Sequence, residues 1–176
     1  MINIRKADID DVITISKLGR ITFSDTFESF FNDKNDLLDY LEDIFSEKRI
    51  HDSILKAKSI YWIAFYDSIP VGYAKVKLDF TSQLIIPPNT CYLDKIYVVK
   101  KFISKEIGKE LHKILMQEII ALKYQRIWLS VLKENQKAIN FYHKKGYQII
   151  SQYSQNIGSQ KFDFFVMALN LDEKAT

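Results

Sequence analysis

One cysteine, Cys91, is all that 176 residues contain, so no disulfide can form within the chain. Histidine is almost as scarce. His51, His112 and His143 are scattered, none with a second His or Cys at ligand spacing, and no metal site is read from them. No apolar run is long enough to span a membrane. Met1–Ile15 lacks a signal-peptide pattern, so the expected compartment is the cytoplasm. Five glycines and three prolines punctuate the chain sparingly, and no linker, repeat or low-complexity segment is found. What remains is an ordinary globular composition, 47% apolar and 27% charged. The length suits a single domain over 1–176 that buries its core without staples.

Charge is nearly balanced in total, at +3, but not along the chain. From Ser24 to Glu47 eight acids stand against Lys34 alone; from Lys95 to Lys145 twelve bases stand against four acids. An acidic half beside a basic half suits an enzyme that takes one polycation and one polyanion, and it equally suits two solvated helix faces. No helix-turn-helix, RNA-binding or zinc motif accompanies the basic residues, so a nucleic-acid partner is not expected.

Periodicity gives the elements. Ile2–Arg5 reads as a strand, and Asp8–Arg20 as a helix capped by Asp8 with Ile9, Val12, Ile13, Ile15 and Leu18 on its inner side. Phe23, Phe27, Phe30 and Phe31 follow at helical spacing. Leu37–Phe45 and Ile50–Leu55 read as two further helices. Tyr61–Tyr66 and Val71–Leu78 form a hairpin around Asp67-Ser68-Ile69-Pro70. Pro87-Pro88-Asn89 breaks the chain before a strand at Tyr92–Val99. Ser104–Tyr124 is a long helix with Ile107, Leu111, Ile114, Leu115 and Leu122 inward. Ile127–Val131 is a strand, and two last strands, Tyr147–Tyr153 and Phe162–Leu169, flank a polar connection around Gly158. The strand–helix–strand unit around Ser104–Tyr124 requires a crossover and a parallel pair. The expected fold class is α+β: a mixed, mostly antiparallel sheet of about seven strands with helices on both faces.

The most informative stretch is Ile127–Tyr147, IWLSVLKENQKAINFYHKKGY. Asn135 stands at an N-cap, Ala138, Ile139, Phe141 and Tyr142 follow at helical spacing, and Gly146 sits where left-handed backbone is easily adopted. The Tyr142 hydroxyl needs a buried partner or a function. The string N-x-x-A-I-x-F-Y-x-x-x-G-Y resembles the second cofactor-contacting segment of the GNAT N-acetyltransferase superfamily, and the element order resembles that fold over nearly the whole chain. The resemblance implies acetyl-CoA in a splay between the two parallel strands, with residues 91–170 as the cofactor core and 1–90 mainly on the acceptor side. It implies that the strand edge Ile96, Tyr97, Val98 pairs with the pantetheine. The loop that follows, with Ile103, Ser104, Lys105, Glu106, Ile107, Gly108 and Lys109, would hold the pyrophosphate at a helix N-terminus. The family pattern there is Gln/Arg-x-x-Gly-x-Gly/Ala. Ile103 and Glu106 depart from it, and only Gly108 is kept. Glu106 adds a negative charge near a pyrophosphate, worth about 1 kcal/mol in a watery setting. Asn135, Ala138 and Tyr142 complete the implied cofactor set.

The same resemblance makes Tyr142 the expected acid that protonates the leaving thiolate, with core packing as its other reading. Asp94 is the expected general base, or equally a strand-end charge. Asn135 is a cofactor contact, a cap, or both. The N-terminal segment resembles bacterial spermidine/spermine acetyltransferases of the PaiA type, through Thr22-Phe23, Asp25-Thr26-Phe27, Asp36-Leu37, Tyr40-Leu41, Val71-Gly72-Tyr73 and Leu93-Asp94-Lys95-Ile96-Tyr97-Val98. That implies a cationic amine, with Phe23, Asp25, Phe27, Glu28 and Tyr73 around it; Phe30 and Phe31 read as core. The alternatives are another amine (a protein N-terminus, a lysine or a small amine) or a non-catalytic binding domain with a degenerate loop. The chain is expected to act as a monomer or homodimer.

Overall fold

The computed structural model describes residues 1–82 and 89–171. Seven strands form one sheet in the order β1-β2-β3-β4-β5-β7-β6. They are β1 Ile2–Lys6, β2 Ser59–Tyr66, β3 Ile69–Lys77, β4 Thr90–Val98, β5 Arg126–Leu132, β6 Gln148–Ile157 and β7 Gln160–Asn170. Among the described residues five α-helices accompany the sheet: α1 Val12–Phe27, α2 Lys34–Ile44, α3 Glu47–Ile54, α4 Ile107–Ala121 and α5 Gln136–Lys144. Every neighbouring pair of strands is antiparallel except β4 and β5. This is the mixed α+β sheet that the element order implied. No helix among the described residues is long and apolar enough to cross a membrane.

The sheet is covered on both faces because its central strands are apolar on both. Trp62, Ala64, Ala74 and Val76 point to α4, whose Ile107, Leu111, Leu115 and Ile119 are fully buried against them. Tyr61, Ile63 and Tyr73 point the other way, to Val12, Ile15 and Leu18 of α1 and Ile50 of α3. Period-two alternation in the strands and period-3.6 stripes in the helices meet there. A third cluster joins Phe23 of α1 to Leu37 and Leu41 of α2 and to Phe45.

Several boundaries differ from the sequence reading. Ile9 and Ile13 are about half exposed, and so is Leu122. Asp8 caps a single 3-10 turn, Ile9–Asp11, and α1 then runs on to Phe27. The first hairpin turns on Asp67 and Ser68 alone, both left-handed (φ 47° and 66°), as a type I′ turn requires. Pro87 and Pro88 lie outside the described residues. Ser104 and Lys105 belong to a 3-10 segment, Lys100–Lys105, so α4 starts three residues later than its apolar periodicity suggested.

Close packing leaves no slack where α1 crosses Phe45. A Cβ on Gly19 would lie 2.3 Å from Phe45 Cδ1, and Phe45 is fully buried. Gly19→Ala gains about 1 kcal/mol of helix propensity. Overpacking typically costs about 1–3 kcal/mol, and a contact this short belongs at the upper end. Urea unfolding is expected to show a net loss of stability; a gain would mean that Phe45 moves aside.

Candidate active site

Two structural events on β4 create the site. The first is a parting of strands. β4 pairs with β5 only through Thr90–Arg126, Cys91–Ile127 and Tyr92–Trp128. Beyond Tyr92 the two strands diverge, and the edge of β4 from Leu93 to Val98 faces a cleft of about 580 Å³. The second is a β-bulge. Lys75 stands opposite Lys95 and Val76 opposite Leu93, which leaves Asp94 without a partner on β3. Asp94 therefore lies inside β4 and is not a strand-end charge. A bulge re-aims side chains, and this one turns Asp94 and Lys95 away from the α4 core.

The cleft is lined by most of the residues expected to hold the cofactor: Ile96, Tyr97, Val98, Ile103, Glu106, Gly108, Lys109, Asn135, Ala138 and Tyr142. Three are not at its wall. Ile107 is buried in the core, and Ser104 and Lys105 are exposed on the 3-10 turn. Thr22, Thr26, Ser130, Lys137, Lys144 and Lys145 line it as well and were not anticipated individually. Asn135 accepts the Ala138 N–H at 3.1 Å, so it caps α5 while standing at the cleft.

The α4 entrance suits a pyrophosphate. Lys109 and Glu110 N–H both donate to the Glu106 carbonyl, and the N–H groups of Ile107 and Gly108 open the helix, where first-turn donors have no acceptor within the helix. A Cβ on Gly108 would meet only Val98 Cγ2 at 3.7 Å, so packing does not demand glycine there. The space it leaves is on the cleft side. Glu106 has φ 59°. That conformation favours glycine and costs another residue about 1 kcal/mol. Its carboxylate is paired with Lys109 Nζ at 3.0 Å in solvent.

Tyr142 is buried except for its approach to the cleft, and its ring packs on Phe141 and Tyr147. Burial pushes its pKa well above the usual phenol value, which keeps the hydroxyl protonated at neutral pH. Cys91 is also buried, its thiol pushed up to about 12 by desolvation, so it is no nucleophile.

A second cavity, of about 460 Å³, adjoins the cleft, and Asp94, Lys95 and Ser130 line both. Its walls are aromatic: Tyr40, Phe45, Tyr61, Tyr73, Phe80, Tyr92, Trp128 and Tyr153. They come from both halves of the chain. Inside it Asp94 meets three ammonium groups, Lys75 at 2.9 Å, Lys77 at 3.3 Å and Lys95 at 3.3 Å. Burial alone would raise the Asp94 pKa; the three lysines outweigh it and hold the carboxyl well below its usual range. A carboxylate so occupied is a poor proton acceptor, which argues against Asp94 as general base. Burial lowers the Lys95 pKa, with Asp94 opposing. Burial also opposes the charge on Lys75, but Asp94 and Tyr61 prevail and its pKa is raised.

Of the five residues expected around the acceptor, only Tyr73 lines this cavity. Phe23 is core, packed on Phe27, Tyr40 and Phe45. Asp25 is exposed and reaches neither cavity. Glu28 pairs with Lys34. The acidic run is largely spent on holding the fold. Asp33 caps α2, Asp36 binds Ser159, Glu42 pairs with Arg20 and Asp43 with Arg49. Lys75 and Lys77 were missed: on β3 they alternate with Ala74 and Val76, the pattern of a solvated face, and only the fold brings Asp94 and the rings of Tyr61, Phe80 and Tyr92 against them.

The family model described as the acetyltransferase (GNAT) family matches residues 22–147. The chain belongs to that family. It is an acyltransferase with the GNAT fold, and its cofactor is acetyl-CoA. An uncharacterised N-acetyltransferase from the pepI 3′ region of Lactobacillus delbrueckii subsp. lactis is 26% identical over 95% of this chain and 94% of its own. The spermine/spermidine N(1)-acetyltransferase of Bacillus subtilis is 32% identical over 52% of this chain and 61% of its own. Among solved structures, the PaiA N-acetyltransferase of Thermoplasma acidophilum, determined in complex with coenzyme A, has a TM-score of 0.79. It is 22% identical and covers 97% of this chain and 99% of its own.

Two outcomes are expected. Glu106→Gly relieves left-handed strain and removes a carboxylate from the α4 entrance, so acetyl-CoA binds several-fold tighter by calorimetry. Unchanged affinity would show that the Lys109 pair already keeps that charge off the phosphates. Asp94→Asn strands three buried cations and is expected to lose about 3 kcal/mol or more of stability. Since the Asp94 pKa is depressed in the fold, its contribution is present above the unfolded value of about 3.9 and is lost as pH falls toward the folded one. Urea midpoints from neutral to acid pH should fall steeply for the native chain and less for Asp94→Asn.

Proposed function

We propose that this enzyme transfers the acetyl group of acetyl-CoA to a primary amine by direct attack in a ternary complex, with the amine in the aromatic cavity beside Asp94. The observation that carries the reading is the common wall. Cofactor cleft and second cavity meet at Asp94, Lys95 and Ser130, so two ligands that fill them come together at the parting of β4 and β5.

Acetyl-CoA, when bound, supplies an activated acetyl thioester. The chain supplies the rest. The open α4 N–H groups, with Lys109, Lys137, Lys144 and Lys145 at the wall, hold the phosphates. Ile96 to Val98 offer an unpaired strand edge for the pantetheine amides. The Tyr142 hydroxyl, protonated at neutral pH, gives its proton to the departing sulfur, and the proton that the nitrogen sheds as the amide forms restores it. The attacking amine must be neutral, and the cavity favours that state without a carboxylate base. Lysine charges close to an ammonium group disfavour its charged form and lower its pKa.

A polyamine acceptor is supported by the spermine/spermidine relative and by the PaiA resemblance. The carboxylates that motivated it lie outside the cavity, so that reading now rests on those likenesses. A protein N-terminus, a lysine or another small amine fits the common wall equally.

Saturating acetyl-CoA should raise the melting temperature, since it binds the native state alone. Release of free thiol with a panel of amines then reports turnover. Tyr142→Phe should lower kcat roughly ten- to a thousand-fold and leave acetyl-CoA affinity little changed. An unaltered kcat would assign the proton to water, and an unfolded variant would make Tyr142 a packing residue.

A further inference from the structure

The acceptor cavity carries the wrong sign for a polycation. Three ammonium groups share the one carboxylate of Asp94, and Asp94 is the only acid at the cavity wall among the described residues. Arg49, at the rim, is already matched by Asp43 at 2.7 Å. The Lys75 and Lys95 side chains are only 10% and 16% exposed, so water screens this excess poorly. Each lysine also stands over an aromatic ring: Lys75 over Tyr61, Lys77 over Phe80 and Tyr92, Lys95 over Phe45. Rings fix the direction of a cation but do not neutralise it.

Two further observations point to a ligand. The hydroxyl of Tyr73, a residue of the cavity wall, is fully buried and has no hydrogen-bond partner among the described residues. The groove that continues from the cavity between α3 and β3 does not cancel this charge: Lys48, Arg49 and Lys58 are paired with Asp52, Asp43 and Asp79, which leaves Lys56 beside Lys75 and Lys77. It shares Lys75 and Lys77 with the cavity. An approaching anion is attracted along that route and a polycation is repelled.

We propose that the acceptor is an amine that also bears an anionic group, a carboxylate or a phosphate, which completes the charge of the Lys75–Lys77–Lys95 cluster. This rests on the acetyl-transfer reading above and narrows its acceptor. The anion is held by the lysines and the amine is left facing the cleft. A doubly charged phosphate offsets the excess of the three lysines over Asp94 in full, and a carboxylate offsets half of it.

The test uses matched amines of two to six carbons: ω-amino acids, aminoalkyl phosphates, plain alkylamines and diamines, with spermidine and spermine added. Thiol release gives kcat/KM for each. The best anionic amine should exceed the alkylamine of its own length by about tenfold or more, and the margin should shrink as salt rises. Carboxylate and phosphate arms identify which anion is used. A preference for diamines or spermidine, or equal rates for charged and neutral partners, overturns the proposal. Lys77→Met should remove most of the margin and leave the KM for acetyl-CoA unchanged; Lys77→Gln serves if that variant fails to fold. A margin unaffected by either variant also overturns it. If no amine is acetylated although acetyl-CoA shifts the melting temperature, the transfer reading fails by itself. The anion site is then judged by melting of the CoA-saturated protein with the same compounds. Stabilisation by the anionic amines alone supports it, and no stabilisation refutes it.

Discussion

Two parallel strands that cease to bond after their third residue pair make the rest of this molecule possible. Backbone groups in a sheet interior normally satisfy one another. From Leu93 onward β4 has a partner on one side only, at the middle of the sheet and not at its edge. A row of amide groups is thus presented inside the molecule, between α4 and α5. The residues proposed to hold the cofactor line that gap. The helix starts at Ile107 and Gln136 lie at its mouth, and Tyr142 closes it on the α5 side.

Much of this was legible because apolar periodicity is a strong signal over long elements. The helix from Gln136 was marked at both ends, by Asn135 and by Gly146, and both marks hold in the structure. The parallel pair followed from the length of the crossover. The beginning of α4 was less readable. Lys100–Glu106 contains neither proline nor glycine, so nothing in it announces a 3-10 turn ending on a left-handed glutamate. The bulge did leave a trace. Leu93, Ile96 and Val98 face one core, and the three-residue step from Leu93 to Ile96 breaks the strand period of two.

Charge was the least legible property. Summed along the sequence, residues 24–47 make an acidic surface. In space their carboxylates meet Arg20, Lys34, Arg49 and the tip of the β6–β7 hairpin. Lys75, Lys77 and Lys95 are spread over two strands and form a cluster only through register. Sequence blocks count charges, whereas folding decides which of them find partners.

The bulge at Asp94 also acts as a parity switch. Before it, odd-numbered residues of β4, Cys91 and Leu93, face α4; after it, even-numbered ones do, Ile96 and Val98. One strand thus runs in two phases, and each phase serves a different cavity. Deleting a single residue there would restore an unbroken alternation. Cys91, Leu93, Ile96 and Val98 would keep the α4 face, but Asp94 and Lys95 could no longer stand side by side at the cavity wall. The extra residue is thus what places two neighbouring side chains on one face, and substitution at Asp94 itself leaves that arrangement of the backbone intact.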